Sequence, residues 1–311
     1  MERFKLLASF SLLILLVGCA GIGQKNPENV GETHQGTQGI YFDFLPNYPP
    51  PIIYSSCQQP ICDSGTNMVL EVKNLGSTSA GVSFFLSGFD TQIIKPGVTS
   101  APVGSLEGKS TTNPTGGYAQ VQFPPSGSLS ISMPSGIDVY PATIQATACY
   151  DYQTKASLPV CVDPNPYSPI TQEACVPHGA TVGAGQGAPV AVSSVEQQSM
   201  NNKVIFKIHI SNVGGGQVIR RGLYSTCTTL AYDKFNLIDT YSFKLGGGAG
   251  PGAGGTCTPA MPLRLVNNQA TVTCVFNLPP GSMAYTTTLD VSMDYGYMSS
   301  KQRSIQVKKI S

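Results

Sequence analysis

A chain of 311 residues is long enough for two domains of ordinary size. Charged residues make up 11% of it, under half of the usual share of about 25%, and the net charge is +1. Phosphate neutralisation needs clustered Lys and Arg, so this balance argues against nucleic acid as a partner. The 34 glycines and 24 prolines suit short strands joined by turns rather than helices.

The chain opens with positive charge at Arg3 and Lys5, followed by an apolar run over residues 6–16. That is the layout of an export signal, and the run falls short of the ~20 residues that span a bilayer. Leu16-Val17-Gly18-Cys19 then reads as a lipobox. Small residues before the cysteine let a peptidase reach the bond, and the Cys19 thiol takes a diacylglycerol before cleavage. The pattern resembles that of prokaryotic lipoproteins. It implies that residues 1–18 are a removed signal peptide and that a lipid on Cys19 holds the exported chain to the outer face of a cell membrane. Residues 19–38 are polar, Gly-rich and unpatterned, which suits a flexible tether.

Eight cysteines remain: Cys57, Cys62, Cys149, Cys161, Cys175, Cys227, Cys257 and Cys274. An even number in an exported chain reads as structural disulfides. Cys57 and Cys62 would close a small loop. Cys149 and Cys161 flank Lys155 symmetrically, as they would across a hairpin, with Cys161–Cys175 the competing pair. Cys257 has Cys227 and Cys274 as alternative partners. No Cys-x-x-Cys occurs and His34, His178 and His209 are scattered, so neither a metal nor another cofactor is expected.

The first folded region, residues 39–162, begins with a candidate strand at residues 40–45, stopped by Tyr48-Pro49-Pro50-Pro51. Residues 46–64 read as an insertion. Residues 68–72 alternate as a half-buried strand, Asn74-Leu75-Gly76 suits a turn that tolerates positive φ, and residues 82–86 return. Residues 99–117 read as a long loop. Short strands follow at 119–123 and 128–133, and residues 143–152 with 157–162 read as a closing hairpin. Residues 163–187, rich in Pro and Gly, link to a second region at 188–311. Its strands are expected near 188–195, 204–210, 217–223, 237–243, 263–266 and 270–278, with a closing hairpin from 287–297 and 304–310. Residues 245–255 form a glycine loop that lacks the Lys-Ser/Thr of a phosphate-binding P-loop.

The two regions echo each other. Pro134, Gly136, Tyr140, Tyr150 and Tyr152 recur 145 positions later as Pro279, Gly281, Tyr285, Tyr295 and Tyr297. Val69-Leu-Glu-Val-Lys-Asn-Leu-Gly76 matches Lys207-Ile-His-Ile-Ser-Asn-Val-Gly214. Two echoes in one order indicate a duplicated module. About seven strands per copy with no helical period predict an all-β chain: two tandem immunoglobulin-like antiparallel β-sandwiches. Tyr140 and Tyr285 stand where a tyrosine corner sits in such sandwiches. Tyr150 with Tyr152, and Tyr295 with Tyr297, share a strand face and are read as packing that braces the hairpins.

The run from Val69 to Gly76, followed by Ala80 and Val82-Ser-Phe-Phe-Leu86, resembles the opening of CARDB-type domains, immunoglobulin-like modules of prokaryotic cell-surface proteins. The resemblance covers about half of each module and implies adhesion or surface scaffolding, with other surface proteins or glycans as partners. No Gly-x-Ser-x-Gly, His-Glu-x-x-His or EF-hand pattern occurs, and His209 faces away from Ile208 and Ile210. Asp163 suits a turn better than a calcium site, while Asp90, Asp138, Asp151 and Glu196 remain open as carboxylates for hydrolysis. The expectation is a non-enzymatic, lipid-anchored surface protein. The alternatives are a subunit of a filament or surface layer, and a hydrolase or ligand-binding lipoprotein with a site between the domains.

Overall fold

A computed structural model describes residues 34–55, 62–169, 174–182, 185–246, 254–280 and 283–310. The chain is all-β, with sheets packed as sandwiches. In the first half Ile40–Phe44 and Tyr118–Phe123 flank Met68–Asn74 in a three-stranded antiparallel sheet. Alternation dictates this, since Phe42, Leu70 and Val72 point inward and are buried. Opposite runs Ala80–Ser87, which pairs with Ser100–Leu106. The expected loop over 99–117 therefore contains a strand. Its buried positions are few because only one edge of it is paired and its outer face meets solvent. In the second half Ala180–Thr181, Val190–Met200, Lys203–Asn212, Gln269–Asn277 and Thr256–Thr258 form a five-stranded antiparallel sheet in spatial order.

The two closing hairpins do not form. Val139–Val162 is one strand of 24 residues and Tyr285–Lys309 one of 25, where ~5–6 is usual. The reason is local: Gln153 to Ser157 and Met298 to Arg303 offer no Gly, Pro, Asn or Asp, and no residue of either strand has positive φ. Instead the two long strands pair with each other, antiparallel and in unbroken register from Val139 opposite Lys308 to Val162 opposite Tyr285. At ~3.3 Å per residue this ladder is about 80 Å long.

That ladder is shared. The first part of Val139–Val162 pairs with Ala80–Ser87, while the first part of Tyr285–Lys309 pairs with Thr240–Leu245 and Gln217–Ile219. The far end of Tyr285–Lys309 also takes Ile52–Ser55 as a parallel neighbour, so the insertion over 46–64 contributes a strand. Each half therefore builds one of its sheets with a strand end from the other half, and one hydrophobic core runs through both. Pro141 and Pro159 are tolerated because the other edge of their strand is paired only at residues 145–150.

Three disulfides follow this geometry. Cys149 and Cys161 lie twelve positions apart on one strand, about 40 Å, far beyond the ~7 Å limit on Cα separation, so they cannot pair. Cys149 bonds Cys227 with Cα atoms 6.4 Å apart, Cys161 bonds Cys175, and Cys257 bonds Cys274. The first joins the two halves, the second ties the linker to the end of the long strand, and the third bridges a cross-strand pair. Cys57 lies outside the described residues, and with it the Cys57–Cys62 pair. Cys149–Cys227 closes 78 residues, the longest of these loops. Replacing both by Ala is expected to lower the unfolding free energy by about 2–4 kcal/mol, read from urea melts under oxidising conditions.

Candidate functional site at the crossing of the long strands

The duplication and the strand register meet at one point. Asp151 and Gly296 are equivalent by the 145-residue repeat and are also direct partners in the ladder. A pseudo-two-fold axis therefore passes through this pair. One residue to either side stand the tyrosines: Tyr150 opposite Tyr297, and Tyr152 opposite Tyr295. Strand alternation sends all four to the inner face, where their ring centroids lie 5.7–6.5 Å apart.

Each hydroxyl reaches backbone. Tyr150 accepts from the Ile40 N–H at 3.3 Å, and its duplicate Tyr295 accepts from the Val190 N–H at 3.2 Å. Ile40 and Val190 are equivalent, each lying opposite the Asn of an Asn-x-Gly motif. Tyr152 accepts from the Thr78 N–H and donates to the Gly187 carbonyl at 3.1 Å. Tyr297 accepts from the Gly216 N–H and donates to the Asn212 side chain at 2.9 Å. The Asn-x-Gly glycines serve this contact. Neither Gly76 nor Gly214 has positive φ, contrary to the turn reading. A Cβ on Gly76 would strike the Tyr152 hydroxyl, and one on Gly214 would come 2.6 Å from the Tyr297 hydroxyl. The two sequence echoes are thus the two sides of one interlock. The tyrosines brace the strand crossing rather than hairpins.

The outer face of the axis breaks the symmetry. Between Gln217–Ile219 and Thr240–Leu245, residues 220–239 are inserted and cross this face. Gly296 makes room for them: a Cβ there would meet the Arg220 carbonyl at 2.8 Å. Its equivalent Asp151 accepts the Gly222 N–H at 2.9 Å. Burial pushes the Asp151 carboxyl above its usual value, opposed by that N–H and by Arg221. Arg221 reaches Asp294 at 3.1 Å, and Arg220 reaches Asp239 at 3.4 Å. Asp294 also accepts from Thr240 and Gln153. Cys149, the duplicate of Asp294, holds the same insertion through Cys227. At equivalent positions one copy anchors it by a covalent bond and the other by charge.

The remaining sequence candidates are dispersed. Tyr140 accepts from the Asp90 N–H, fifty positions upstream rather than the few of a tyrosine corner, and Tyr285 is half-buried at the start of the last strand. Cys19 lies outside the described residues, as does most of the glycine loop. Asp90 accepts the Gln92 N–H and Asp163 the Asn165 N–H, both as turn residues. His209 is bracketed by Glu196 at 3.0 Å and the Thr271 hydroxyl at 3.2 Å, beside an open depression of about 540 Å³. That order of hydroxyl, imidazole and carboxylate has the form of a catalytic triad. However, His209 and Thr271 are cross-strand neighbours inside a continuous ladder, Glu196 also pairs with Lys207, and the local amides belong to the sheet. Among the described residues no group of three metal-ligating side chains occurs, and no helix is long and apolar enough to cross a membrane.

Burial raises the hydroxyl pKa of all four tyrosines, that of Tyr152 and of Tyr297 to about 12. In the unfolded chain they ionise near 10, so between pH 10 and 12 the folded state holds more protons and loses stability as pH rises. The protein is expected to stay folded to about pH 10 and then to lose ~1.4 kcal/mol per pH unit for each such tyrosine. The share of tyrosinate absorbance that belongs to these four should therefore appear only together with loss of strand signal in circular dichroism. Gradual ionisation of all 14 tyrosines without unfolding would contradict this.

No protein-family model matches this chain, and no curated protein matches it.

Proposed function

We propose that the chain is an exported protein, anchored through a lipid on Cys19 to the outer face of a cell membrane, with a non-enzymatic binding, adhesion or structural role. The observation that carries this reading is the coupling of a lipobox and polar tether to a disulfide-tied double sandwich. Disulfides of this kind belong to an oxidising, extracellular environment. An ~80 Å ladder closed by a tyrosine interlock and a covalent bond is a stiff spacer, which is what a surface scaffold needs. The CARDB-like opening fits the same role, with surface proteins or glycans as the partners of its outer faces and loops.

A second reading, a subunit of a filament or surface layer, has its own support. Tyr118–Phe123 and Ser100–Leu106 are each paired on one side only among the described residues, and an open edge admits strand addition. Pro102 interrupts the donors of the second, which favours the first as the joining edge. The third reading, a hydrolase or ligand-binding lipoprotein with a site between the domains, is weakest as a hydrolase, because the cluster of triad form, His209 with Glu196 and Thr271, lies within a single sheet.

The anchor is tested with the full-length chain. Replacing Cys19→Ser is expected to move the protein from the membrane pellet to the soluble fraction after cell breakage, while the wild type stays in the pellet until detergent is added. An unchanged pellet fraction for the variant overturns the lipid anchor. Sedimentation of the solubilised chain separates the other readings, since assembly that grows with concentration favours the filament.

A further inference from the structure

The pseudo-two-fold axis also relates two regions of the inner face, and they differ in chemistry. On one side Thr154 is fully buried, its hydroxyl 2.6 Å from the Val190 carbonyl and 2.9 Å from the Tyr295 hydroxyl. Ser77 and Tyr152 close that side by bonding the carbonyls of residues 186–187. Its polar groups are satisfied.

On the other side the duplicate of Thr154 is Ser299, one methyl smaller and with no hydrogen bond from its side chain among the described residues. A cavity of about 170 Å³ opens there, lined by Tyr41, Tyr150, Tyr297, Ser299 and Lys301 together with residues 38–40, 42, 189, 214–215 and 300. Ala156 is replaced here by its duplicate Lys301, which brings in an ammonium group. Lys301 lies 5.9 Å from the centroid of the Tyr41 ring and has no carboxylate within ion-pair distance among the described residues.

The buried end of the cavity has an unspent donor. Tyr150 is 1% exposed and accepts the Ile40 N–H, but its own hydroxyl hydrogen has no acceptor among the described residues. The other three tyrosines of the quartet each share or donate theirs. A buried polar hydrogen without an acceptor is costly, about 1–3 kcal/mol, and its burial keeps the phenol protonated and able to donate. Cation at the exposed rim and hydroxyl donor within define the missing group: an acceptor carrying one negative charge, small enough for the cavity.

We infer that this cavity is a binding site for a small organic carboxylate. The Lys301 ammonium pairs with its charge, Tyr150 donates to one carboxylate oxygen, and Ser299 donates to the other; the Ser300 hydroxyl is held by Thr147 on the opposite strand face. One cation matches one negative charge, whereas a phosphate dianion would bring a second charge into a partly buried site without a partner. This site is independent of the lipid anchor and of the role proposed above.

The test uses the full-length chain in a non-ionic detergent, with acetate, propionate and benzoate as probes and propionamide as the neutral control. Saturation-transfer NMR and calorimetry are expected to show saturable binding of at least one carboxylate and none of the amide. Lys301→Met is expected to weaken that binding about ten-fold or more, the loss of one charge-assisted contact. Ser299→Thr, which restores the larger residue of the duplicate position, is expected to abolish it. Tyr150→Phe should weaken it similarly. If that buried change impairs folding, the exposed Lys301 and the half-buried Ser299 still decide the matter. Absence of binding by every carboxylate, equal binding of propionamide, or indifference to Lys301→Met overturns the site and leaves a cavity filled by water.

Discussion

Everything in this fold depends on the pairing of two long strands about Asp151 and Gly296. An antiparallel ladder of two equivalent strands has a local two-fold axis at whichever pair is also related by the repeat. Once that register is set, the tyrosines are fixed as a quartet, because each lies one position from the axis on the inner face. Their hydroxyls then reach the first strand and the Asn-x-Gly loop of the corresponding copy. Shifting the ladder by one residue would send all four outward and expose the core residues of both halves.

Symmetry of this kind accounts for stability, and departures from it mark what is specific to this chain. On the outer face, Gly296 gives clearance and Asp151 gives an acceptor, so the same insertion is admitted by one copy and held by the other. Cys149 and Asp294 divide the anchoring in the same way. On the inner face, exchange of Thr154 for Ser299 and of Ala156 for Lys301 sets a region of satisfied hydrogen bonds against a cavity with spare donors. Duplicated residues serve the fold, and the unequal ones carry the asymmetric chemistry.

Much of this was legible beforehand. Alternation in residues 40–45, 68–72, 204–210 and 270–278 located strands to within two residues, because burial on one face imposes period two. The even cysteine count foretold disulfides, and the pairings Cys161–Cys175 and Cys257–Cys274 were among the alternatives. The strand at 100–106 was missed because an exposed edge leaves little apolar pattern. The carboxylate cavity has no motif, since its parts come from residues 38–42, 150, 189, 214–215, 297 and 299–301, and only the duplicate comparison of Thr154 with Ser299 pointed toward it.

The sequence by itself determined that the chain is all-β, duplicated and disulfide-bearing, because alternation, repeat and cysteine count are local or countable properties. It also placed the paired tyrosines on shared strand faces. Only the tertiary structure decided that residues 139–162 run straight on instead of folding back, since a strand can close on itself or on its copy with the same alternation. That choice made Cys149 a partner of Cys227, turned two expected hairpins into one shared ladder, and brought both halves of the repeat together at a single crossing.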